Sequence, residues 1–230
     1  MGTANVAMLS TLTSCLPEGL AGPLFFAAEV RRLKAGQVLF AAADAGDGCY
    51  RLDQGLLKVR VTSPRGEQRI IAILGPGSIV GELAMIDGLP RSAAVIALRD
   101  CELLFVSRQA FEQIVKAHPE AYQALVAILA ARLRQADESP AANTFLSVKG
   151  RVARALLELA QHIGQKSETG RVVLEEKISQ GDLAAMAGVA RENVSRALSE
   201  WRRRSLVTGA ASTYCLNDLE ALKREMDPDG

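Results

Sequence analysis

Several features that mark particular protein classes are scarce in this 230-residue sequence. Aromatic residues make up only 4% of it, too few for a surface that stacks successive bases of a single-stranded nucleic acid. The four cysteines, Cys15, Cys49, Cys101 and Cys215, lie far apart and form neither a Cys-x-x-Cys metal pair nor a disulfide scaffold. We expect reduced, mostly buried thiols in the cytosol, no metal site and no disulfide framework.

Long hydrophobic runs are absent as well. Even the apolar stretch of residues 122–133 is interrupted by Gln123 and Arg132, so it falls short of the roughly eighteen apolar residues of a membrane span. The first fourteen residues lack the charged and apolar regions of a secretion signal, and Val6 breaks the acylation pattern. The sequence therefore predicts a cytoplasmic protein with no membrane partner.

A net excess of charge is missing too. The chain carries 27 basic and 26 acidic residues, a formal net charge of +1, so any nucleic-acid partner must be met by a local cluster of positive charge. Hydrophobic residues make up 49%, enough to bury a core. The length favours two small domains.

The hydrophobic periodicity changes near the middle of the chain. Residues 29–107 contain short alternating or apolar runs separated by Gly, Pro and Asp, which predict an antiparallel β-barrel or sandwich. After Ser107 the period becomes helical, and a longer seam follows. It consists of Tyr122, Val126, Leu129, Leu133 and Ala136. This spacing favours a helix that pairs with the same helix of a second copy, although an amphipathic helix lying on its own barrel fits it as well.

Small and polar residues then separate the two halves. The segment from Asp137 to Thr144 contains Pro140 and reads as a hinge, and Ser147 is the expected N-cap of a helix that starts a second domain. We therefore divide the chain into residues 1–117, the β domain, 118–137, the long helix, 138–147, the hinge, and 148–230, the second domain.

The most informative stretch of the first domain is residues 81–95. It combines Glu82, Arg91 and Ser92 with glycines and a short helical turn. Arg91 can hold a phosphate in fork geometry, turn amides and the Ser92 hydroxyl can supply neutral donors, and Glu82 can accept from a ribose hydroxyl. A cyclic phosphodiester has one negative charge, so one arginine is enough.

This stretch resembles the phosphate-binding cassette of cyclic-nucleotide-binding domains. The resemblance implies that Glu82 accepts from the ribose 2′-hydroxyl and that Arg91 pairs with the phosphate. Ser92 and amides nearby complete the cradle, and apolar residues line the base pocket. The implied set is Gly81, Glu82, Leu83, Ala84, Arg91, Ser92 and Ala93 for the cassette, and Ile71, Ala72 and Leu74 for the base pocket. In the alternative, Glu82 and Arg91 form a partly exposed ion pair, and Gly81 and Gly88 simply make turns.

The identity of the base is less defined. By the same resemblance, the long helix places Arg132, Ala136 and Asp137 over the base. An ionised Asp137 accepts hydrogen bonds only, which suits the exocyclic amine of adenine and favours cAMP. Ser92 beside Arg91 can also bond the amino group of guanine, so cGMP stays open.

The second domain carries a helix, a tight turn and a helix between Gln180 and Leu198. Ser179 and Asp182 form an expected capping box, and Gly188 takes the turn. In the second helix one face is apolar. The opposite face, near the N-terminus, carries Arg191, Glu192, Ser195 and Arg196, with Asn193 beside them. That is where a recognition helix meets base edges in the major groove. In isolation, these residues would suit a solvated face equally well.

The run Arg191 to Arg196 resembles the recognition helix of Crp/Fnr transcription regulators. The resemblance implies that the two arginines read guanines and that Glu192 reads cytosine, in a TGTGA-like half-site repeated about 34 Å apart. Asn193 and Ser195 would make secondary contacts, and Arg202, Arg203 and Arg204 could meet phosphates. Ala190 stands at the helix-cap position without a hydroxyl.

Together the two resemblances imply an α+β fold. It consists of an N-terminal antiparallel, jelly-roll-like β-barrel, a long dimerisation helix and a C-terminal winged helix-turn-helix domain. The implied function is a cyclic-nucleotide-responsive regulator. Its partners would be a second copy of the chain, double-stranded DNA and, by inference, RNA polymerase. In the free protein, we expect Arg91 to be a cation without its partner.

Three alternatives belong to other classes. An enzyme is disfavoured because the only histidines, His118 and His162, have no neighbouring nucleophile, and we assign no catalytic residue. A redox or haem sensor would need clustered N-terminal cysteines or a histidine placed in the barrel segment. A regulator of the same family that responds to another signal, or that binds DNA constitutively, also remains open.

Overall fold

The computed structural model describes residues 28–119, 146–167, 170–174, 177–209 and 213–226, together with Phe25 and residues 122–123, 126–127, 129–130 and 133–134. These residues group into two compact units, one within residues 10–137 and one within residues 138–230. No helix in this described part is long and apolar enough to cross a membrane.

Two antiparallel four-stranded sheets form the first unit. Their strands are β1 (Glu29–Leu33), β2 (Val38–Phe40), β3 (Gly48–Gln54), β4 (Leu57–Thr62), β5 (Gln68–Leu74), β6 (Ile79–Val80), β7 (Ala94–Ala97) and β8 (Cys101–Ser107). The strand orders are β1-β8-β3-β6 and β2-β7-β4-β5. Alternate residues of both sheets, such as Leu52, Leu57, Val95 and Leu103, share one buried cluster. The core of this unit therefore lies between the sheets.

Two helices pack at the end of these sheets. They are α1 (Glu82–Asp87) and α2 (Arg108–Ala117), and the Ser107 hydroxyl caps α2 by accepting from Ala110 N at 3.2 Å. Met85 of α1 shares a second buried cluster with Phe111 and Val115 of α2. The ring of Phe111 meets that of Tyr122 edge to face at 5.8 Å. Apolar packing thus joins α1 to α2 and to the first residue of the predicted seam.

The described residues between 122 and 134 are helical, as the spacing predicted. The side chains of Tyr122, Val126 and Leu133 are exposed by 49%, 63% and 64%. Tyr122 also packs against Phe111 of the same unit, so pairing with a second copy and packing on the β domain both stay predictions. Ala136 and the segment 138–145 lie outside the described residues.

The second unit is a helical domain with a small sheet. Its elements are α3 (Val148–Ile163), β9 (Gly164–Lys166), β10 (Val172–Leu174), α4 (Gln180–Ala187), α5 (Arg191–Arg203), β11 (Val207–Thr208), β12 (Tyr214–Leu216) and α6 (Leu219–Arg224). The sheet order is β11-β12-β10-β9. Ser147 caps α3 as expected, because its hydroxyl accepts from Gly150 N at 2.9 Å. The predicted α+β class with a winged helix-turn-helix is confirmed.

Candidate functional site: a buried arginine cassette and an exposed helix face

Two glycines bound the cassette helix α1. Gly81 and Gly88 stand at its two ends with φ of 85° and 74°, a left-handed backbone that side chains disfavour. A Cβ atom on Gly81 would also lie 2.4 Å from Nη1 of Arg91. Glycine at position 81 therefore supplies both the turn and the room for the arginine.

Glu82 is the first residue of α1 and is only 1% exposed. A carboxylate at this end of a helix is favoured by the helix dipole. The side chains of Ala84 and Met85 are also buried, whereas that of Leu83 is exposed. The cassette thus carries a buried carboxylate on a short helix. The buried apolar residues of this helix hold it in place.

Arg91 is buried, with 3% exposure, and several groups hold it in place. Its Nη1 donates to the carbonyls of Gly48 and Gly81 at 2.8 and 2.7 Å. Its Nη2 donates to Oδ1 of Asp47 at 2.5 Å, and its guanidinium lies 4.3 Å from the centre of the Phe40 ring. These contacts fix the cation before any ligand arrives.

The expectation that the free protein leaves Arg91 without a partner is therefore wrong. The Asp47 carboxylate supplies a negative charge from the turn that precedes β3. The contacts use both Nη1 protons and one Nη2 proton of Arg91. The Nε atom is buried and has no hydrogen-bond partner among the residues that the structure describes. Arg91 therefore keeps donor capacity for a phosphate.

Asp47 is the partner of Arg91 that sequence reasoning missed. Its carboxylate is 63% exposed, and its backbone carbonyl accepts from Arg108 N, the first residue of α2, at 3.0 Å. Glycines flank it, and a Cβ on Gly46 would lie 2.3 Å from that of Ala84. The sequence signal for this residue was an acidic side chain between two glycines at the start of a strand.

The buried thiol of Cys49 lies near both charged cassette residues, Glu82 and Arg91. Burial raises the pKa of Cys49 to about 12, and the charge of Glu82 raises this pKa further while that of Arg91 lowers it. Both charges therefore act on one buried atom. The thiol is protonated at neutral pH and serves as part of the apolar support beneath the cassette.

The remaining predicted ligand residues differ in exposure. Ala93, Ala72 and Leu74 are buried and Ser92 is exposed. Between β4 and β5, Val59 pairs with Ala72 and Arg60 with Ile70, so Ile71 is the extra residue of a bulge and is 47% exposed. The proposed base contacts Arg132, Ala136 and Asp137 lie outside the described residues.

The first helix of the helix-turn-helix has the expected capping box. The Ser179 hydroxyl accepts from Asp182 N at 3.0 Å, and Oδ2 of Asp182 accepts from Ser179 N at 3.3 Å. Gly188 ends α4 in the left-handed region, with φ of 61°. These contacts set the tight turn that leads into α5.

The second helix, α5, buries one face and exposes the other. Its buried residues are Val194, Ala197, Leu198 and Trp201. Its exposed residues include Arg191, Glu192, Ser195 and Arg196, while Asn193 is half-buried. The side chain of Ala190 makes no cap bond, in agreement with the expected departure at this position. An exposed face of this composition can donate to guanine and accept from cytosine.

The arginines at the end of α5 are not equivalent. Arg203 is exposed and Arg202 is half-buried, whereas Arg204 pairs with Glu225 and lies 3.5 Å from a carboxylate oxygen of Glu200. The structure thus leaves Arg203 as the arginine of this run best placed to meet a phosphate.

Comparison with known families matches both units. Residues 30–118 match the cyclic nucleotide-binding domain, and residues 150–225 match the Crp-like helix-turn-helix domain. The chain is 30% identical over 189 residues to the CRP-like cAMP-activated global transcriptional regulator of Mycobacterium tuberculosis, covering 82% of this chain and 84% of that protein. It is 35% identical over 164 residues to the cyclic AMP receptor protein of Thermus thermophilus, covering 71% and 72%.

Solved structures share the fold. A CRP/FNR-family transcriptional regulator of Thermus thermophilus superposes with a TM-score of 0.73 at 27% identity, covering 88% of this chain and all of that one. The c-di-GMP responsive global regulator CLP of Xanthomonas campestris gives a TM-score of 0.77 at 22% identity, with coverage of 88% and 100%.

Proposed function

Because the chain belongs to the Crp/Fnr family of transcription regulators, we propose that it is controlled by cAMP and binds, as a dimer, a palindromic operator with TGTGA-like half-sites. The observation that carries the ligand part is the buried guanidinium of Arg91, which is fixed by the carbonyl of Gly81, the residue directly before the buried Glu82. A family of transcription regulators gives no reason to expect catalysis, and its DNA-binding role supports a cytoplasmic location as part of this proposal.

The chemistry of the cassette matches a cyclic nucleotide monophosphate. One buried guanidinium complements the single charge of a cyclic phosphodiester, and its remaining Nε and Nη2 protons form a fork for two phosphate oxygens. Glu82 accepts from the ribose hydroxyl, and the exposed Ser92 and the amides of Leu83 and Ala84 supply neutral donors. The relatives from Mycobacterium tuberculosis and Thermus thermophilus are both named for cAMP.

The base contacts are assigned by resemblance and chemistry. Ile71, exposed by its bulge, and the neighbouring Ala72 and Leu74 supply apolar contacts, and Arg132, Ala136 and Asp137 cover the base. Asp137 favours the amine of adenine because an ionised carboxylate only accepts. Ser92 can bond the amine of guanine, so cGMP is the competing ligand.

A thermal-shift panel tests the ligand. At about 100 times its dissociation constant a ligand adds roughly 2.7 kcal/mol, which raises the melting temperature of a chain of this size by roughly 5–10 °C. We expect this shift with cAMP, a smaller one with cGMP and none with AMP. Cyclic di-GMP, which has two phosphodiesters, is tested as a further ligand in the same panel. A panel without any shift contradicts the proposal.

Asp47 should weaken nucleotide binding in the wild-type protein. Its carboxylate competes with the phosphate for the protons of Arg91 and repels its negative charge. The carboxylate is exposed, so the contact is worth at most about 1 kcal/mol. Asp47→Asn should therefore tighten cAMP binding by up to about fivefold, measured by isothermal titration calorimetry. Asp44→Asn, in the same turn, is the control, and weaker binding of Asp47→Asn would refute the competition.

The DNA-binding form is proposed to be a dimer. The exposed stripe of Tyr122, Val126 and Leu133 suits pairing with a second copy, and pairing places two α5 helices on one operator. RNA polymerase is the inferred further partner of a regulator at a promoter. Sedimentation with and without a short operator duplex tests the dimer.

The Asp47 contact also favours a second candidate function. Because this carboxylate already neutralises Arg91, the chain could bind DNA constitutively, or respond to a signal other than a cyclic nucleotide. Operator binding that is equal with and without cAMP, together with an unshifted melting temperature, distinguishes this candidate from the first.

A further inference from the structure

Four charged side chains form a closed ring at the C-terminal end of the recognition helix α5. Lys149 Nζ lies 2.5 Å from Glu200 Oε1 and 3.3 Å from Glu225 Oε2. Arg204 Nη1 lies 3.5 Å from Glu200 Oε1 and also pairs with Glu225. Lys149 belongs to the first turn of α3, Glu200 and Arg204 belong to α5 or its end, and Glu225 follows α6. The ring thus ties three helices together.

The signs alternate around the ring, so every neighbour attracts. The Lys149 hydrogen bond lowers the pKa of Glu200, and the Glu200 hydrogen bond raises the pKa of Lys149. Both shifts favour the charged forms that the ring needs. The backbone is close as well, because a Cβ atom on Gly150 would lie 3.1 Å from the carbonyl oxygen of Glu225.

At the opposite end of α5, the first turn makes no ion pair to another helix within the part of the chain that the structure describes. Ala190 gives no side-chain cap, and the residues that follow it are exposed. Val194, Leu198 and Trp201 hold the helix against the core, and this one-sided burial limits its rotation only to within the width of the apolar stripe. Directed contacts to Glu200 and Arg204 can set the rotation.

We propose that Lys149 is a positioning residue that fixes the rotation of the recognition helix and thereby the aim of its base-reading side chains. Side chains extend to about 5–6 Å from a helix axis, so a rotation of about 20° moves their ends by about 2 Å. Such a displacement breaks hydrogen bonds to base edges but leaves long-range attraction to phosphates. This inference rests on the DNA-binding role of α5.

The test compares specific and non-specific DNA binding of the full-length chain. With cAMP present throughout, the wild type first selects its operator from a random-sequence pool, so the result does not depend on the TGTGA half-site. Fluorescence anisotropy then gives the affinity of each variant for that operator and for a scrambled duplex. Lys149→Met should bind the operator about fivefold more weakly, with unchanged affinity for the scrambled duplex and an unchanged salt dependence.

Two further variants complete the design. Lys149→Arg preserves the charge and should retain the wild-type specificity ratio. Lys223→Met removes the lysine of an exposed pair with Glu220 in α6 and should leave both affinities unchanged. Circular dichroism melts identify the temperature at which all variants are folded, and binding is measured there.

Other outcomes overturn the proposal. Equal weakening on both duplexes, with the salt slope reduced by about one per subunit, would make Lys149 a phosphate contact. Unchanged operator affinity would make the ring irrelevant to DNA reading.

A wild type that selects an unrelated sequence would refute the proposed operator but leave the Lys149 comparison intact.

Discussion

Replacing Arg91 by leucine is expected to weaken nucleotide binding by about a hundredfold or more. A hydrogen bond to a charged group contributes about 1.5–3 kcal/mol, and the phosphate fork loses two of them, so the loss is at least about 3 kcal/mol. Leucine also leaves the carbonyls of Gly48 and Gly81 without the donor that they have in the wild type. We therefore expect lower stability as well, and the affinity is measured by calorimetry at a temperature where the melt shows a folded chain.

Two further variants separate charge from folding. Arg69→Leu removes an exposed arginine of β5 in the same unit and should leave nucleotide affinity unchanged. Arg91→Lys retains the charge but loses the fork, and should lie between wild type and Arg91→Leu. A folded Arg91→Leu protein with wild-type affinity would refute the assignment of this residue to the phosphate.

The parts that could be predicted from the sequence rest on local patterns. Alternating runs with glycine turns predicted the sheets, and the 3.6-residue period predicted α2 and α5, because both patterns depend on near neighbours. The Ser179 capping box and the missing cap at Ala190 were read from single positions and agree with the structure. The cassette and recognition-helix motifs pointed to the family, which the comparisons with known proteins confirm.

The parts that could not be predicted depend on long-range contacts. Asp47 and Arg91 are 44 residues apart, and Lys149 and Glu200 are 51 apart, so no local pattern links their charges. The bulge at Ile71 breaks the alternation of β5, and only the register with β4 shows which residue it displaces. Charge partners across strands and helices become readable only once the fold brings them together.

The contact between Asp47 and Arg91 affects the proposed control of the protein by its ligand. A cation without a partner would destabilise the empty state, whereas the Asp47–Arg91 pair stabilises it. In the proposed binding mode, the phosphate takes the remaining Nε and Nη2 protons beside Asp47, so repulsion between the two anions reduces the stabilisation that the nucleotide adds. By linkage, any factor by which cAMP tightens operator binding must equal the factor by which the operator tightens cAMP binding. Comparing this coupling factor between Asp47→Asn and the wild type tests whether Asp47 limits the coupling.

Replacing Arg196 by alanine is expected to remove the discrimination at one base pair of each half-site. Arg196 is exposed on the polar face of α5, next to Ser195, and its guanidinium can donate to both O6 and N7 of a guanine. Loss of such a bidentate contact weakens operator binding by about 1–3 kcal/mol per contact. The measurement is the affinity for a series of duplexes in which each half-site position carries all four bases in turn. At one position, the four affinities should become nearly equal.

Arg203→Ala provides the matched comparison for Arg196→Ala. Arg203 is also exposed but lies at the far end of α5, away from the residues expected to reach base edges. A phosphate contact carries no sequence information, so this variant should weaken binding to every duplex alike and lower the salt slope by about one per subunit, or about two for the dimer. If Arg196→Ala behaved in the same way, Arg196 would be a phosphate contact and the guanine in the half-site would need another reader. Arg191, five residues earlier and also exposed, would then be the next residue to substitute.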